Sequence, residues 1–382
     1  MALSITVSPR ESVGGTPPFD SYAIATTQIR FVFNEDAITG KDNYYLKILI
    51  PEADNIELFY FPDTSDNMDF DLGKILYQYM IKDGITHLKF RINYSAFWDG
   101  GSYAAINDIY YLAVKADRQI LSPFGANLYY YSLKDVVGDS LSDTTPGRFL
   151  THFNSYYIWD GWTTYFDIIN NEFLGSYGQT RRVLDINRNV LSSTPSTFLV
   201  PETYDIRTNS ITYPATANAA YMDITYDNGT NDISETKEFK LMDECKNPIM
   251  LQWDGQLGAT EQYLFQYEQN VSENSEQGFL YEMPITSDIS TITGTKFRQP
   301  GKYFQVMTLK AFNLTQNELQ SLHYIKQSSR VKVWLDKDGS NFVEVIVNSG
   351  YTTAFTTGKS NYEFTINIEF PSGFDFFKAK AY

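Results

Sequence analysis

Hydrophobic and polar residues alternate along most of the first third of the chain. Runs such as TQIRFVFN, NYYLKILIPE and ITHLKFRINYS place aliphatic or aromatic side chains at nearly every second position, and clusters rich in Gly, Pro, Asp and Asn separate such runs. Alternation with a period of two is typical of half-buried β-strands. Several short strands between such turn signals favour an antiparallel β-sandwich. We therefore predict a sandwich over residues 1–116.

One segment of this region has a helical period instead. In FDLGKILYQYMIKDG, residues 70–84, apolar side chains recur three or four positions apart: Leu72, Ile75, Leu76 and Tyr79. This spacing predicts a short helix or crossover. Asp71 is the candidate N-cap, because an Asp side chain can accept a hydrogen bond from a free N–H group at a helix start.

Residues 117–243 continue the β pattern and form a second predicted domain. The segments ANLYYYSL, FNSYYIWDGWTTYFDII and TRRVLDINRNVLSS are strand-like. DINRN and YDNGTND interrupt such segments with the residues that tight turns prefer, so both indicate hairpins. The Asn-Gly pair makes the second hairpin the stronger prediction.

Residues 244–382 form a third predicted domain of α+β type. NPIMLQW and NYEFTINIEF are strand-like, whereas NLTQNELQSLHYIKQS contains a helix. Thr315 and Glu318 have the spacing of a capping box, in which each satisfies a backbone N–H of the other. Leu319, Leu322 and Ile325 then recur on one face, which we expect to pack on a sheet.

The most motif-like stretch is DKDGSN, residues 336–341, between two alternating apolar runs. A helix–loop–helix calcium site needs flanking helices and a glycine at the sixth loop position, where this chain has Asn341. Asp-Gly between strand-like runs instead predicts a β-hairpin. A second acidic stretch, SDNMDFD, holds Asp66, Asp69 and Asp71. We favour a solvated turn there over a calcium site.

Composition narrows the class of partner. The chain has 46 acidic and 30 basic residues, a formal net charge of −16, and no block of five basic residues. Nucleic-acid binding depends chiefly on Lys and Arg, so neither nucleic acid nor an anionic membrane is an expected partner. No apolar run approaches the roughly 18 residues of a membrane span. The start of the chain lacks a basic segment followed by an apolar run, which predicts no signal peptide.

Few residues suit catalysis or metal binding. The one cysteine, Cys245, excludes an internal disulfide, and the only histidines are His87, His152 and His323. The chain has neither the spacing of a zinc site nor G-x-S-x-G nor a phosphate-binding glycine loop. We therefore predict a protein that is not an enzyme, with no cofactor and no metal.

The best candidate for ligand contact is YYIWDGWTTYFD, residues 156–167. Trp159 and Trp162 flank Asp160, and aromatic faces beside a carboxylate can stack on sugar rings. The alternative is a tight hairpin whose rings pack across its strands. The first interpretation makes Trp159, Asp160 and Trp162 a glycan-contact site, and the second makes the two rings core residues.

Several stretches resemble structural proteins of tailed bacteriophages that infect Bacteroides-like hosts. IRFVFNEDAITGKDNYYLKILI and LFYFPDTSDNMDFDLGKILYQYM resemble the opening sandwich module of those proteins, and KFRQPGKYFQVMTLKAF with the helix after it is similar to their tail-type module. A recurring signature of the same proteins is matched at Cys245, Asn247, Pro248, Leu251, Trp253, Leu257, Gly258 and Phe265. Asp254 stands where the signature has asparagine.

The resemblance implies a non-catalytic virion component in the tail, neck or host-facing appendage, assembled in the host cytoplasm. Its partners would be other copies of itself and neighbouring virion proteins. The alternative function is a lectin-like appendage or capsid-attached fibre that binds host surface glycans. The expected fold is mainly β: tandem antiparallel, immunoglobulin-like sandwiches followed by an α+β tail-type module with one clear helix.

Overall fold

The structure is a computed structural model that describes most of the chain. The described residues are 5–8, 22–24, 30–33, 42–61, 68–105, 110–115, 147–151, 153, 155–170, 178–195, 205–227, 232, 234, 236–243, 247–255, 257–276, 278–282, 296–298, 301–348 and 361–380. They divide into two compact units, Met1–Asp243 with Asp254–Glu261 (unit one) and Glu244–Trp253 with Gln262–Tyr382 (unit two). The predicted domain boundary between residues 116 and 117 stays a prediction.

The first part of unit one has the strand-rich architecture that its alternating pattern predicts. Its elements are β1 (Ile5–Ser8), β2 (Tyr22–Ile24), β3 (Arg30–Phe33), β4 (Tyr45–Ile50), β5 (Ile56–Tyr60), β6 (Met68–Asp71), α1 (Gly73–Asp83), β7 (His87–Arg91), β8 (Asn93–Trp98), β9 (Gly101–Ala105) and β10 (Tyr110–Val114). They form three sheets with the orders β1-β3-β6, β2-β10-β7 and β5-β4-β8-β9. The strands β2, β6 and β9 were not predicted from the sequence.

These sheets enclose one hydrophobic core, as a sandwich requires. The four-stranded sheet contributes Leu46, Ile48 and Ala96, while the two three-stranded sheets contribute Phe31 and Phe90. Each of these side chains is almost wholly excluded from solvent. Burial of apolar surface at about 25 cal/mol per Å² is the main force that holds such sheets together.

The predicted helix is confirmed as α1, with a correction at its start. Leu76 and Met80 are buried on its inner face, and Gly84 ends it in the left-handed conformation with φ 67°. The N-cap position is Leu72 and not Asp71. Asp71 nevertheless accepts a hydrogen bond of 2.8 Å from the first helical N–H, that of Gly73. The carboxylate therefore stabilises the helix start from one position further out.

The second part of unit one is another pair of sheets around a separate core. Its strands are β11 (Gly147–Phe149), β12 (Ser155–Trp159), β13 (Thr163–Asn170), β14 (Gly178–Leu184), β15 (Val190–Pro195), β16 (Asp205–Thr212), β17 (Tyr221–Asp227) and β18 (Lys237–Met242). The sheet orders are β11-β13-β16 and β12-β18-β17-β14-β15. Phe166 of the first sheet packs against Tyr156 and Phe239 of the second. The pairs β2–β10 and β12–β18 are parallel, so the architecture is mainly antiparallel and not wholly so.

Both hairpins predicted in this part are confirmed by strand pairing. β14 pairs with β15 around residues 185–189, where Arg188 has a positive φ of 66°. Asp185 accepts hydrogen bonds from the backbone N–H groups of Asn187 and Asn189, which holds the turn closed. β17 pairs antiparallel with β18. Much of the connection between them lies outside the described residues.

Unit two is built around one seven-stranded sheet. Its elements are β19 (Ile249–Asp254), β20 (Thr260–Phe265), β21 (Tyr267–Glu276), β22 (Leu280–Glu282), β23 (Lys296–Arg298), β24 (Lys302–Leu314), α2 (Gln316–His323), a 3-10 turn (Tyr324–Lys326), β25 (Val331–Trp334), β26 (Phe342–Asn348), β27 (Tyr362–Glu369) and a four-residue helix α3 (Phe376–Ala379). The large sheet has the order β20-β19-β25-β26-β27-β24-β21, and β22 pairs with β23. The short α3 was not predicted.

Helix α2 confirms the capping and packing predictions made for it. The Thr315 hydroxyl accepts from the Glu318 N–H at 3.3 Å, and Glu318 accepts from the Thr315 N–H at 2.8 Å. Leu319, Leu322 and Ile325 are completely buried. The capping box therefore identified the start of the helix, and the amphipathic pattern identified its buried face.

The DKDGSN stretch is the tip of a hairpin, as predicted. β25 and β26 pair antiparallel on either side of it, so no helix flanks the loop. Asp336 accepts hydrogen bonds from the Asn341 N–H at 2.7 Å and from the Ser340 hydroxyl at 2.8 Å. The carboxylate thus closes a seven-residue connection, and its hydrogen bonds are directed to the loop itself.

Gly339 in this loop allows a test of local strain. Its φ is +74°, and a Cβ there would lie 2.7 Å from the ring of the buried Trp334. We expect Gly339→Ala to lower the free energy of unfolding by roughly 2–3 kcal/mol, because both the backbone and the ring must shift. The matched control is Gly373→Ala, since Gly373 has φ +81° with nothing within 4 Å. Urea denaturation of both variants checks this, and equal losses would contradict it.

Some predicted features cannot be compared with the structure. Asp66, His152, Cys245 and ANLYYYSL (residues 126–133) lie outside the described residues. Over the part of the chain that is described, no helix has the length and apolarity needed to cross a membrane.

Candidate functional site

The predicted glycan-contact residues lie at a turn between two sheets. β12 pairs with β18, whereas β13 pairs with β11 and β16, so the chain crosses from one sheet of the sandwich to the other at residues 160–162. The predicted hairpin is therefore wrong. The turn is closed by a 3.0 Å hydrogen bond from the Trp162 N–H to the Trp159 carbonyl.

This turn directs both tryptophan rings inward. Trp159 is 5% exposed and Trp162 is 1% exposed, whereas Asp160 is on the surface. Stacking on a sugar needs an accessible ring face, and neither ring has one. The two tryptophans therefore occupy the core, which was the alternative interpretation, and only Asp160 is placed to meet a ligand.

Several buried charged groups lie elsewhere, around the segment Asp254–Glu261. Its first residue, Asp254, accepts a 2.5 Å ion-pair contact from Lys115, whose side chain is 4% exposed. Its last residue, Glu261, is 3% exposed and accepts a 3.0 Å hydrogen bond from the Thr151 hydroxyl. We call this set, with Asp167, the buried junction.

Asp167 completes the buried junction. It is wholly excluded from solvent, on β13, and accepts a 2.7 Å hydrogen bond from the Thr260 N–H. Burial raises the pKa of Asp167, and the hydrogen bonds from Thr208 and Thr260 and the charge of His87 offset that effect only in part. The junction joins three sequence regions, residues near 115, 151–167 and 254–261, through enclosed polar contacts.

The raised pKa of Asp167 has a consequence for stability. The folded state holds the proton to higher pH than the unfolded state, so stability falls as pH rises from the ordinary carboxyl range, near 4, through the raised pKa. Asp167→Asn removes this titration and keeps an oxygen for the Thr260 N–H. We expect the stability of this variant relative to wild type to increase with pH across that window and then to level off.

The measurement for this prediction is the urea midpoint of both proteins at intervals from about pH 4 to pH 8. Asp71→Asn is the control, since Asp71 is another hydrogen-bonded carboxylate in unit one. A constant difference between wild type and Asp167→Asn across the range would contradict the prediction.

The two described histidines lie in different surroundings. The charge of His87 lowers the pKa of Asp167. His323 lies edge-on to Phe364 at 5.7 Å, and burial together with the charge of Lys326 lowers its pKa. The cavity beside His323, about 470 Å³, is lined by Gln316, Gln320, His323, Tyr324, Lys326 and Gln327. No carboxylate is among these described lining residues.

The described chain also contains no group of three or more His, Cys, Asp or Glu placed to hold a metal ion.

An exposed aromatic surface that was not predicted from the sequence lies on the four-stranded sheet. Tyr45, Phe59, Phe61 and Phe97 form this aromatic face, with ring centroids of Tyr45 at 6.3 Å from Phe59, 6.0 Å from Phe61 and 5.0 Å from Phe97. Phe59 is 55% exposed and Phe61 is 72% exposed. The alternation in NIELFYFP could have indicated this surface, because it places aromatic residues on both faces of one strand.

A second exposed apolar surface lies at the end of the β14–β15 hairpin. Ile186, Val190 and Leu191 are 69%, 55% and 41% exposed. β15 is the last strand of its sheet, and most of its side chains are exposed on both faces. In the described part of unit one, the edge strands β5 and β15 therefore both carry uncovered apolar side chains, which is typical of protein–protein contact surfaces.

Comparison with known proteins adds structural neighbours only. No protein-family model matches the chain, and no curated protein matches it. A chimeric titin Z1Z2 tandem shares 12% identity over 63% of this chain and all of its own length, with a TM-score of 0.18. Trypsin-activated alpha-2-macroglobulin from Escherichia coli shares 14% identity, with 88% of this chain and 21% of its own length covered and a TM-score of 0.19.

A Salmonella alpha-2-macroglobulin mutant is similar at the same level. It shares 9% identity, with 91% of this chain and 24% of its own length covered, and the TM-score is 0.21. The chain thus spans about a quarter or less of either macroglobulin. With TM-scores this low, these likenesses carry no argument about function.

Proposed function

We propose that the chain is a non-enzymatic structural component of a tailed-phage virion, present in several copies and acting through protein–protein interfaces in the tail, neck or host-facing appendage. The sandwiches of unit one would be immunoglobulin-like modules. Unit two, with its seven-stranded sheet and α2, would be the tail-type module. The resemblance to phage structural proteins is the basis for proposing a virion component. The exposed apolar surfaces of unit one are the basis for proposing that it acts through protein–protein contacts.

The observation that carries the proposal is the pair of edge strands with exposed apolar side chains. Single exposed hydrophobic residues are common on protein surfaces, whereas groups of them beside an open sheet edge favour association. Here Phe59 and Phe61 accompany β5, and Val190 and Leu191 lie on β15. An assembled particle would cover such edges by contact with neighbouring subunits.

The glycan-binding alternative has less support at the residues first suggested for it. Trp159 and Trp162 are buried, so stacking on a sugar would require them to leave the core. The contacts of the buried junction likewise suit a structural role, since they join Lys115 to Asp254, Asp167 to a backbone N–H and Glu261 to a hydroxyl group.

The proposal is tested by searching for the chain in purified particles of the phage that encodes it. Quantitative mass spectrometry of gradient-purified particles should detect the chain at a stoichiometry of several copies per particle, close to a whole-number ratio with other tail proteins. An antibody against the chain should label one region of the particle in electron micrographs. Absence of the chain from particles that remain infectious would overturn the proposal.

A further inference from the structure

The outer edge of β5 combines features that suit pairing with an identical strand. In the described part of the chain β5 pairs only with β4 and is the last strand of its sheet. Its inward side chains Ile56, Leu58 and Tyr60 pack on the first core but remain only partly buried. An open edge with incompletely covered apolar residues gains burial on both faces when another strand is added.

The aromatic face indicates what kind of partner fits there. Tyr45 and Phe97 are on neighbouring strands, with centroids 5.0 Å apart and planes at 17°. Strands lie about 4.8 Å apart, so these rings stand upright on the sheet with their faces toward each other. Their edges and not their faces point to solvent. The Tyr45–Phe97 stack can continue onto rings of another sheet. Phe59 and Phe61, which are tilted by 49° and 44° relative to Tyr45, lie on the β5 side of this stack.

Charge on β5 is compatible with self-association. Glu57 is the only charged residue of Ile56–Tyr60, and it forms an ion pair of 2.7 Å with Lys47 of the adjacent strand. An antiparallel pair centred on Phe59 would place Phe59 opposite itself and Glu57 opposite Phe61 of the second copy. Like charges then do not face each other, and aromatic residues do. The repulsion between two chains of net charge −16 is screened beyond about 8 Å at physiological salt.

We propose that two copies of this chain associate through the outer edges of β5, in an antiparallel pair centred on Phe59. The two four-stranded sheets become one continuous sheet, and the two aromatic faces form one row. Pairing between identical strands has two-fold symmetry and therefore closes at a dimer. This inference deepens the proposed function and rests on it, because it names one interface by which the copies would assemble.

The first test is sedimentation velocity of the full chain at protein concentrations from about 1 to 100 µM, the range in which a small interface associates. Wild type should shift from monomer to dimer as the concentration rises. Phe59→Lys/Phe61→Lys should stay monomeric, because it replaces interface aromatic rings by like charges. The variant should still fold, since both side chains are exposed. Phe279→Lys is the matched control, because Phe279 is 78% exposed in unit two, and it should behave as wild type.

The second test fixes the register by disulfide formation in a Cys245→Ala background. Phe59→Cys should form an intermolecular disulfide on mild oxidation, because residue 59 faces its own copy. Phe61→Cys should not, although Phe61 is more exposed, because its two copies would be about 13 Å apart along the strands, beyond the roughly 7 Å limit for a disulfide. Preferential cross-linking at position 61 would overturn the register.

The outcomes separate this inference from the proposed function. A wild type that stays monomeric throughout, or a double lysine variant that dimerises like wild type, would overturn the β5 interface. Neither result affects detection of the chain in particles. Detection of a β5 dimer in solution, together with absence of the chain from particles, would support the β5 interface and contradict the virion role. Glycan binding lost in the double lysine variant, with dimerisation unchanged, would instead make the aromatic face a glycan site.

Discussion

Replacing Asp254 by Asn should destabilise the protein by about 3–5 kcal/mol, the usual result when one partner of a buried ion pair is neutralised. The change removes the carboxylate that contacts Lys115 at 2.5 Å while the ammonium stays buried, with its side chain 4% exposed. Taking a charge out of water is strongly unfavourable unless an opposite charge compensates it. The measurement is the free energy of unfolding from urea denaturation, followed by tryptophan fluorescence.

Two control variants distinguish the effect of leaving a buried charge unpaired from the effect of losing an ion pair. Asp54→Asn removes an ion pair with Lys82 whose side chains are 61% and 69% exposed, and such surface pairs contribute only about 0–1 kcal/mol. Lys115→Met/Asp254→Leu removes both buried charges, and we expect it to lie much closer to wild type than Asp254→Asn. A loss in Asp254→Asn no larger than in Asp54→Asn would contradict the prediction.

Replacing Trp162 by Ala should lower the free energy of unfolding by about 3–5 kcal/mol, because truncation of a large core aromatic leaves a cavity. Trp162 is among the largest fully buried side chains, with 1% exposure. Trp162→Phe fills part of that space and should be less destabilising. Thermal and urea denaturation of the two variants provide the comparison.

The same substitution discriminates between the two interpretations of the tryptophan pair. If Trp162 were a glycan platform, its replacement would abolish adhesion and leave stability unchanged. Phe279→Ala is the control for an exposed ring, and we expect a change within about 0.5 kcal/mol there. A Trp162→Ala variant as stable as wild type would show that the ring does not support the core.

Local sequence patterns determined many of the individual elements. The helical spacing from Leu72 to Tyr79 identified α1, and the Thr315–Glu318 pair identified the start of α2. Alternation around DKDGSN identified the β25–β26 hairpin, because period and turn chemistry act over a few neighbouring residues. These features depend on residues close together in the chain, so they could be inferred without knowing the fold.

Contacts between residues that are distant in the chain were determined only by the tertiary structure. WDGW has the composition of a hairpin turn, yet β12 and β13 enter different sheets, and this directs Trp159 and Trp162 inward. Nothing in the sequence connects Asp254 with Lys115, which lies 139 residues away in the chain. Burial of the two groups is what makes that pairing important, and burial is a property of the packed chain.

The exposed aromatic face likewise depends partly on local sequence and partly on tertiary packing. The sequence by itself determined that Phe59 and Phe61 lie on one side of a strand, since side chains alternate across it. Whether that side faces a core or solvent depends on which sheets pack together, and the first core packs on the opposite side of β5. The local sequence thus determined the strand and its two faces, while the packing of the sheets determined which face is exposed to solvent.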